Sequence, residues 1–339
     1  MNPFAKVAIG DTGVAVTRLG LGGVFVGGRE HGDGTPASAY QESLETLDCA
    51  YESGVRYFDT APFYGRGRSE VRVGRALANK PRDSFVLSSK VGRVLVPDTE
   101  DPGTWEPDGI PRYSAKFDMS RDGILRALES SLERHKLGHI DILYLHDPDW
   151  EDLEDEALAS AFPAMLELKQ QGIVKAIGTG INQWEMPARF MQQVHLDIVL
   201  LAGRYTLLDQ SALAEFLPLC ERNGTTVAVG GPYNSGILAS DDLDGPVWFN
   251  YQPAEPDWIL KAKALKRVAN RHAVDLKAAA LQFPLAHPAV ACVIPGAANP
   301  AQTQQNVELI RAHIPDGFWQ ELKHEGLIPQ AAPTPEQNS

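Results

Sequence analysis

The chain has 339 residues, a formal net charge of −13, 43% hydrophobic and 22% charged residues, an ordinary globular composition with enough apolar material for a sizeable core. The acidic balance excludes nucleic acid and anionic membrane as partners, since both call for a basic footprint. An anionic ligand would have to be held by local backbone N–H groups instead. Cys49, Cys220 and Cys292 lie far apart and form no CxxC pair, so neither a disulfide framework nor a metal site is expected. The first ten residues lack the charged-then-apolar pattern of a signal peptide, and no apolar run approaches the roughly 18 residues of a membrane helix. A cytoplasmic protein is expected.

In chain order, short apolar runs read as strands over Arg18–Gly22, Arg56–Thr60, Phe85–Lys90, Ile140–His146, Val174–Thr179, Ile198–Ala202, Thr225–Val229 and Ala291–Ile294. Helical patterns lie between them, among them Ser38–Ser53 and Ser120–Lys136, the latter with apolar residues three and four apart. Ser120 is a candidate N-cap, and Gly54, Gly138, Gly172 and Gly224 each follow a helical run, as helix-stopping glycines do. Eight strands interleaved with helices imply parallel pairing with right-handed crossovers. Eight is the number that closes a (β/α)8 TIM barrel of the α/β class. The competitor, an open doubly wound sheet, would carry G-x-G-x-x-G after its first strand, and GLGGVFVGG lacks that spacing from its first glycine. A single barrel domain is expected over residues 1–328, with 329–339 as a disordered tail.

Two segments exceed ordinary loop length. Val94–Asp118 carries Trp105 and Tyr113, and Ser235–Pro256 carries Trp248, Phe249 and Tyr251. Both leave the C-terminal ends of strands, the face where barrel active sites lie. They read as substrate lids, with Trp105, Tyr113 and Trp248 toward the substrate.

Asp59, Lys90 and His146 end three successive strand patterns, which places all three at one barrel mouth, and Tyr64 lies five residues after Asp59 in the loop above. A phenol ionises near pH 10 and is a poor base at neutrality. An ammonium beside it favours the phenolate and lowers that value, so Lys90 is expected to tune Tyr64, with Asp59 holding Lys90. His146 can hydrogen-bond and orient the reacting oxygen while Tyr64 shuttles its proton. This set suits hydride transfer to or from a nicotinamide, for which a protein supplies alignment.

The segments YFDTAPFYGRGRSEVRVGRAL, VLSSKVG and DILYLHDPD resemble the signature segments of the aldo-keto reductase superfamily, and the likeness runs from Val14 to Ile314. IGTGINQWEMPARF and AVGGPYNSGIL are similar to its aldose 1-dehydrogenase branch, whose members oxidise the anomeric hydroxyl of pyranoses of the L-fucose and D-threo-aldose type to lactones; a pyridoxal 4-dehydrogenase is also similar. The resemblance implies the barrel, a nicotinamide cofactor, a small-molecule sugar substrate, and the roles given above for Asp59, Tyr64, Lys90 and His146. It further implies cofactor contacts at Gly23, Asn182, Gly230, Ser235, Gly236, Leu238, Gly296, Gln302, Gln305 and Asn306, with Phe25 toward the substrate. A reductase of aldehydes or ketones using NADPH is the alternative enzyme. A cofactor-binding regulatory subunit without turnover is the alternative from another class, against which the intact Tyr64–Lys90 pair speaks.

The last strand runs into IPGAANPAQTQQNVE, a turn before a helix whose N–H groups can face an anion. NADPH-dependent members carry a lysine just after the proline and an arginine six places on. Gly296 and Gln302 stand there, and no Lys or Arg occurs from Gly296 through Glu308. A 2′-phosphate would lack charge-assisted partners, so NAD is expected ahead of NADP. Gly180, Ala202 and Gly230 stand where the family's carboxamide-binding Ser and Gln and its stacking Tyr occur.

Overall fold

A computed structural model describes residues 1–28 and 36–335 of the chain. Eight parallel strands form one sheet: β1 (Leu21–Gly22), β2 (Tyr57–Asp59), β3 (Val86–Val91), β4 (Ile142–His146), β5 (Ala176–Ile181), β6 (Ile198–Ala202), β7 (Thr226–Gly230) and β8 (Val290–Ile294). They follow one another in sequence order, and parallel bridges Leu19–Val293 and Gly22–Gly296 close the seam between first and last. All eight expected strands are present, and the expected barrel stands. Their ends shift by up to three residues at β1, because sheet pairing there covers two residues of the apolar run.

Strand alternation sorts the apolar residues into two clusters. Tyr57, Ile142, Tyr144, Ala176, Ile198, Leu200, Ala228, Cys292 and Ile294 pack inside the barrel. Phe58, Leu87, Leu143, Leu145, Ile177, Val199, Leu201, Val227, Val229 and Val293 pack outward against the helices. This is the period of two that a barrel imposes. An antiparallel hairpin, Lys6–Ala8 with Ala15–Thr17, lies beneath the barrel, and Ile9, Val14 and Val16 join the inner cluster among residues at strand starts such as Ile142, Ala176 and Ile198. The hairpin therefore plugs the N-terminal end, and the C-terminal ends carry the mouth.

The helices alternate with the strands, beginning with Pro36–Ser53, Arg68–Leu77 and Arg121–His135. Ser120 caps the third of these: its hydroxyl accepts from Gly123 N–H at 3.0 Å. Ser120→Ala should lower stability by about 1 kcal/mol, read as a lower urea midpoint at unchanged slope. An unmoved midpoint would show that water replaces the cap without loss.

The segment expected as a long loop after β3 is largely strand. Arg93–Pro97 pairs antiparallel with Tyr113–Phe117, and Thr104–Trp105 with Ile110–Pro111, at its tip. The segment after β7 likewise carries a short hairpin, Trp248–Phe249 with Gln252–Pro253. The tail departs from the disorder expected of it as far as residue 335: Ala332 is 1% exposed in the helix-layer core, and Gln330 Nε2 donates to Lys323 O at 2.7 Å. Its last four residues lie outside the described ones. Among the described residues no helix is long and apolar enough to cross a membrane, and no cluster of side chains is suited to a metal ion.

Candidate active site

The same alternation that points Tyr57 and Tyr144 inward continues one step up each strand to Asp59, Lys90 and His146, so the expected strand-end residues meet at the mouth. Lys90 is 1% exposed and Asp59 2%. Lys90 Nζ donates to both Asp59 carboxylate oxygens, at 2.8 and 2.7 Å, and to Thr60 O at 3.0 Å. Ser88 Oγ donates to Asp59 Oδ1 at 2.7 Å from beneath. All three ammonium protons are thereby used, and none is left for a phenol.

Tyr64 sits in the tight turn that follows β2. Gly65 there has φ of +60°, and a Cβ on it would lie 1.4 Å from Gly27 O, so only glycine lets the turn close against the segment after β1. The Tyr64 ring lies over Lys90 Nζ at 4.6 Å and meets the His146 ring edge-on at 5.7 Å. Among the described residues no protein group hydrogen-bonds its hydroxyl. Burial pushes the phenol well above its ordinary range, and Asp59, Tyr251, Asp147 and Tyr57 add to that. This reverses the depression expected from Lys90. The ammonium is chelated by Asp59, so the phenol faces a nearly neutral pair whose carboxylate favours the protonated form.

His146 is 4% exposed. Burial, with Lys90 and Arg93 nearby, holds its imidazole well below the usual range, so the ring is neutral and has one N–H to give. Its Nε2 lies 3.4 Å from Asp147 Oδ2, and its Nδ1 is buried without a partner.

The mouth contains residues that the sequence reading did not assign. Arg93, at the foot of the first hairpin, is 4% exposed and bonds Asp147 Oδ2 at 2.9 Å. Its guanidinium lies over the rings of Phe63, Phe117 and Trp150 at 4.2, 4.5 and 4.5 Å. The signal for the pair was present as the Arg in KVGR and the Asp in LHDPD, but nothing local says that they meet.

Several expected contacts are placed elsewhere. Gly23 spends both backbone groups inside the protein, donating to Asp59 O at 2.7 Å and accepting from Ser69 Oγ at 2.8 Å. Phe25 lies against Gly296, where a Cβ would come within 2.3 Å of its ring, and so packs on the closing seam. Trp105 is held between Arg68 and Arg112, at 4.2 and 4.8 Å from its ring, and Tyr113 belongs to the hairpin strand. In the second hairpin Trp248 is half exposed. Tyr251, at its turn, is the residue whose phenol feels Asp147 and acts on Tyr64.

For a dinucleotide the fit is good at the mouth. Gly180, Ala202 and Gly230 end their strands with nothing larger than a methyl group, and the glycines fit closely: a Cβ on Gly180 would come within 3.3 Å of Lys90 Cε, and one on Gly230 within 3.1 Å of Leu200 Cδ2. Asn182 follows β5 and its side chain makes no hydrogen bond within the protein among the described residues. After β7, Ser235 and Gly236 are exposed with positive φ, whereas the Leu238 side chain is buried in the helix-layer core and its N–H, like that of Gly236, donates to Tyr233 O. After β8, Asn299 caps the helix Pro300–Arg311 by accepting from Gln302 N–H at 2.9 Å. Gln302 Oε1 accepts from Ala298 N–H at 2.8 Å, so only its Nε2 remains for a ribose hydroxyl. Asn306 is buried, with Oδ1 taken by the Tyr233 hydroxyl at 2.7 Å, while Gln305 is exposed.

A (β/α)8 barrel with a buried lysine–carboxylate pair at its mouth, under a phenol that no described residue hydrogen-bonds, defines a barrel oxidoreductase. Residues 18–324 match the model of the aldo/keto reductase family, and the chain belongs to that family. It is 40% identical to D-threo-aldose 1-dehydrogenase of a Pseudomonas species over 95% of this chain and 98% of that one. It is 38% identical to pyridoxal 4-dehydrogenase of Microbacterium luteolum, with the same 95% and 98% coverage. A holo-form aldo-keto reductase from Bacillus halodurans superposes with a TM-score of 0.73 at 26% identity, covering 98% of this chain and 99% of that one.

Proposed function

We propose that the protein oxidises the anomeric hydroxyl of an aldose, of the L-fucose or D-threo-aldose type, to the lactone, with NAD as hydride acceptor. The observation that carries the chemistry is the Tyr64 hydroxyl, without a partner among the described residues, beside neutral His146 and above the Lys90–Asp59 pair. Its extension to an aldose rests on the 40% identity to the D-threo-aldose enzyme.

A nicotinamide bound here would supply the acceptor for the hydride of the anomeric carbon. Asn182 would offer its amide to it, and the N–H groups of Ser235 and Ala301 would face the phosphates, those of Gly236 and Gln302 being donated to Tyr233 O and Asn299 Oδ1. His146 gives its N–H to the reacting oxygen and fixes its direction. Tyr64 receives the hydroxyl proton in oxidation, for which the phenol must first ionise, and returns it in reduction. Lys90 and Asp59 hold the site in shape and keep its net charge near zero. A panel of aldoses with NAD and NADP, read by absorbance of the reduced cofactor and identification of the lactone, tests the proposal; turnover of simple aldehydes alone, with no aldose oxidised, would overturn it. Oxidation of pyridoxal is the second reading, favoured by the 38% identity to that dehydrogenase, and pyridoxal belongs in the same panel.

The preference for NAD is carried by the absence of Lys and Arg from Gly296 through Glu308. Wild-type kcat/KM should be higher with NAD than with NADP. Gln302→Arg should raise kcat/KM with NADP roughly 10- to 150-fold through a charge-assisted hydrogen bond, less what is lost with the Ala298 contact. A tenfold or greater wild-type preference for NADP would show that another loop supplies the charge.

A further inference from the structure

We propose that Asp147 is a specificity-determining residue: the carboxylate oxygen left uncovered by Arg93, Oδ1, accepts a hydrogen bond from a substrate hydroxyl next to the reacting carbon. This rests on the reading of the site as one for polyhydroxylated substrates, and it explains how such a substrate is told from a plain aldehyde.

Consecutive strand residues point to opposite faces, so the neighbour of inward-facing His146 would ordinarily turn away from the mouth. Asp147 leaves the strand instead, with φ of 44°, a left-handed conformation uncommon for a residue with a side chain. Its N–H is anchored on Gly180 O at 3.0 Å, and its carboxylate returns to within 3.4 Å of His146 Nε2. Its charge adds to the upward shift of the Tyr64 phenol, after burial, Asp59 and Tyr251, so it is felt at the reaction centre.

The pair is built to keep one oxygen for a ligand. Arg93 Nη2 takes Oδ2 at 2.9 Å, and the three rings around Arg93 hold the guanidinium in place. Oδ1 makes no hydrogen bond to a described protein group and is not sealed from solvent, with the side chain 12% exposed. Phe63 and Trp150 meet edge-on at 6.2 Å beside it, and Trp150 is 59% exposed. A polyol presents C–H faces and hydroxyls together, and an aromatic wall beside a fixed carboxylate matches both.

Burial, reinforced by Asp149 and opposed by Arg93 and Lys90, raises the Asp147 carboxyl to about 6. His146, Tyr64 and Tyr251 also face it; burial disfavours the charged form of His146 and Tyr64, whereas Tyr251 is 67% exposed. The acceptor is therefore present above about pH 6 and lost below it.

The test compares substrates that differ by one hydroxyl: an aldose against its 2-deoxy analogue in oxidation, and glyceraldehyde against propanal in reduction. In wild type the hydroxylated member should be favoured, and that ratio of kcat/KM should fall as pH drops through about 6. In Asp147→Asn, Arg93 keeps the amide oxygen on itself, because it has donors alone, and turns the NH2 into the mouth. The charged acceptor is gone, so the ratio should fall roughly 5- to 30-fold and lose its pH dependence; whatever the lost charge does to Tyr64 and His146 is common to both substrates and cancels in the ratio. An equal loss for glyceraldehyde and propanal would assign Asp147 a structural role. A wild-type ratio near one, or a ratio unchanged by pH, would overturn the proposal without any variant. If the aldoses are not oxidised but the glyceraldehyde pair responds as stated, the aldose reading falls and the role of Asp147 stands. If aldoses are oxidised and neither ratio moves, the reverse holds.

Discussion

Tyr64→Phe lowers the rate of the chemical step by about 10² to 10⁴ and leaves dinucleotide affinity unchanged. The hydroxyl has no protein hydrogen bond to lose among the described residues, the ring keeps its place over Lys90 and against His146, and the strand ends at Gly180, Ala202 and Gly230 are untouched. The loss therefore reports the proton alone. Single-turnover kinetics give the chemical step, and quenching of protein fluorescence by the dinucleotide gives affinity. Retention of more than about a tenth of the wild-type chemical rate would remove Tyr64 from the role of proton shuttle. The raised phenol adds a sign. Tyr64 stays protonated through neutral pH, so reduction needs no prior ionisation. Oxidation should speed up with pH, up to and beyond the ordinary phenol value of 10.0. An oxidation rate that does not rise in that range would show that bound ligands reverse the shift.

Lys90→Met should destabilise the fold by about 3–5 kcal/mol, because it strands the Asp59 carboxylate in a buried site. Ser88 Oγ would remain as a donor to Asp59, but the two short ammonium contacts would be gone, and with them the bond to Thr60 O. The double variant Lys90→Met, Asp59→Asn removes the stranded charge, so it should be more stable than the single one even though it carries more changes. Urea denaturation at fixed pH reads both. A single variant as stable as wild type, or a double variant that merely adds a further loss, would show that the pair is not what holds the mouth together. Activity should be lost in both, since neither restores the ammonium under Tyr64.

The strands were legible because a barrel wants apolar runs ending in functional residues, and Asp59, Lys90 and His146 end such runs in the sequence. The Ser120 cap was legible for a similar reason, since a cap is a local event. What escaped is what depends on partners distant in the chain. Arg93 and Asp147 meet across 54 positions, and neither segment alone announces the other. The sign of the Tyr64 shift was missed because burial, its largest cause, and the Asp59 carboxylate beside it are set by the folded mouth, whereas the sequence shows Lys90 only as a charge. Gln302 and Asn306 were read as free for a ligand, but turn geometry commits one to Ala298 and helix packing commits the other to Tyr233. The hairpin after β3 was read as loop because Arg93–Pro97 and Tyr113–Phe117 pair with each other rather than with the barrel, and an isolated ribbon leaves a weak apolar pattern.

The seam between β1 and β8 has a consequence for how the chain is made. Leu19 pairs with Val293, Gly22 with Gly296, and Arg18 Nη1 bonds Leu285 O at 2.8 Å. Synthesis runs from the N-terminus, so the plug hairpin and β1 emerge first and must wait for the final strand before their outer edge finds a partner. Every other strand can join a neighbour already made. The barrel is thus an open sheet for most of its translation, and its earliest segment is the last to be locked. An unpaired edge is where chains stick to one another, and contacts distant in sequence form slowly. A ribosome stalled before β8 would therefore carry a nearly complete enzyme with two exposed strand edges, those of β1 and β7, the form of this protein most in need of a chaperone.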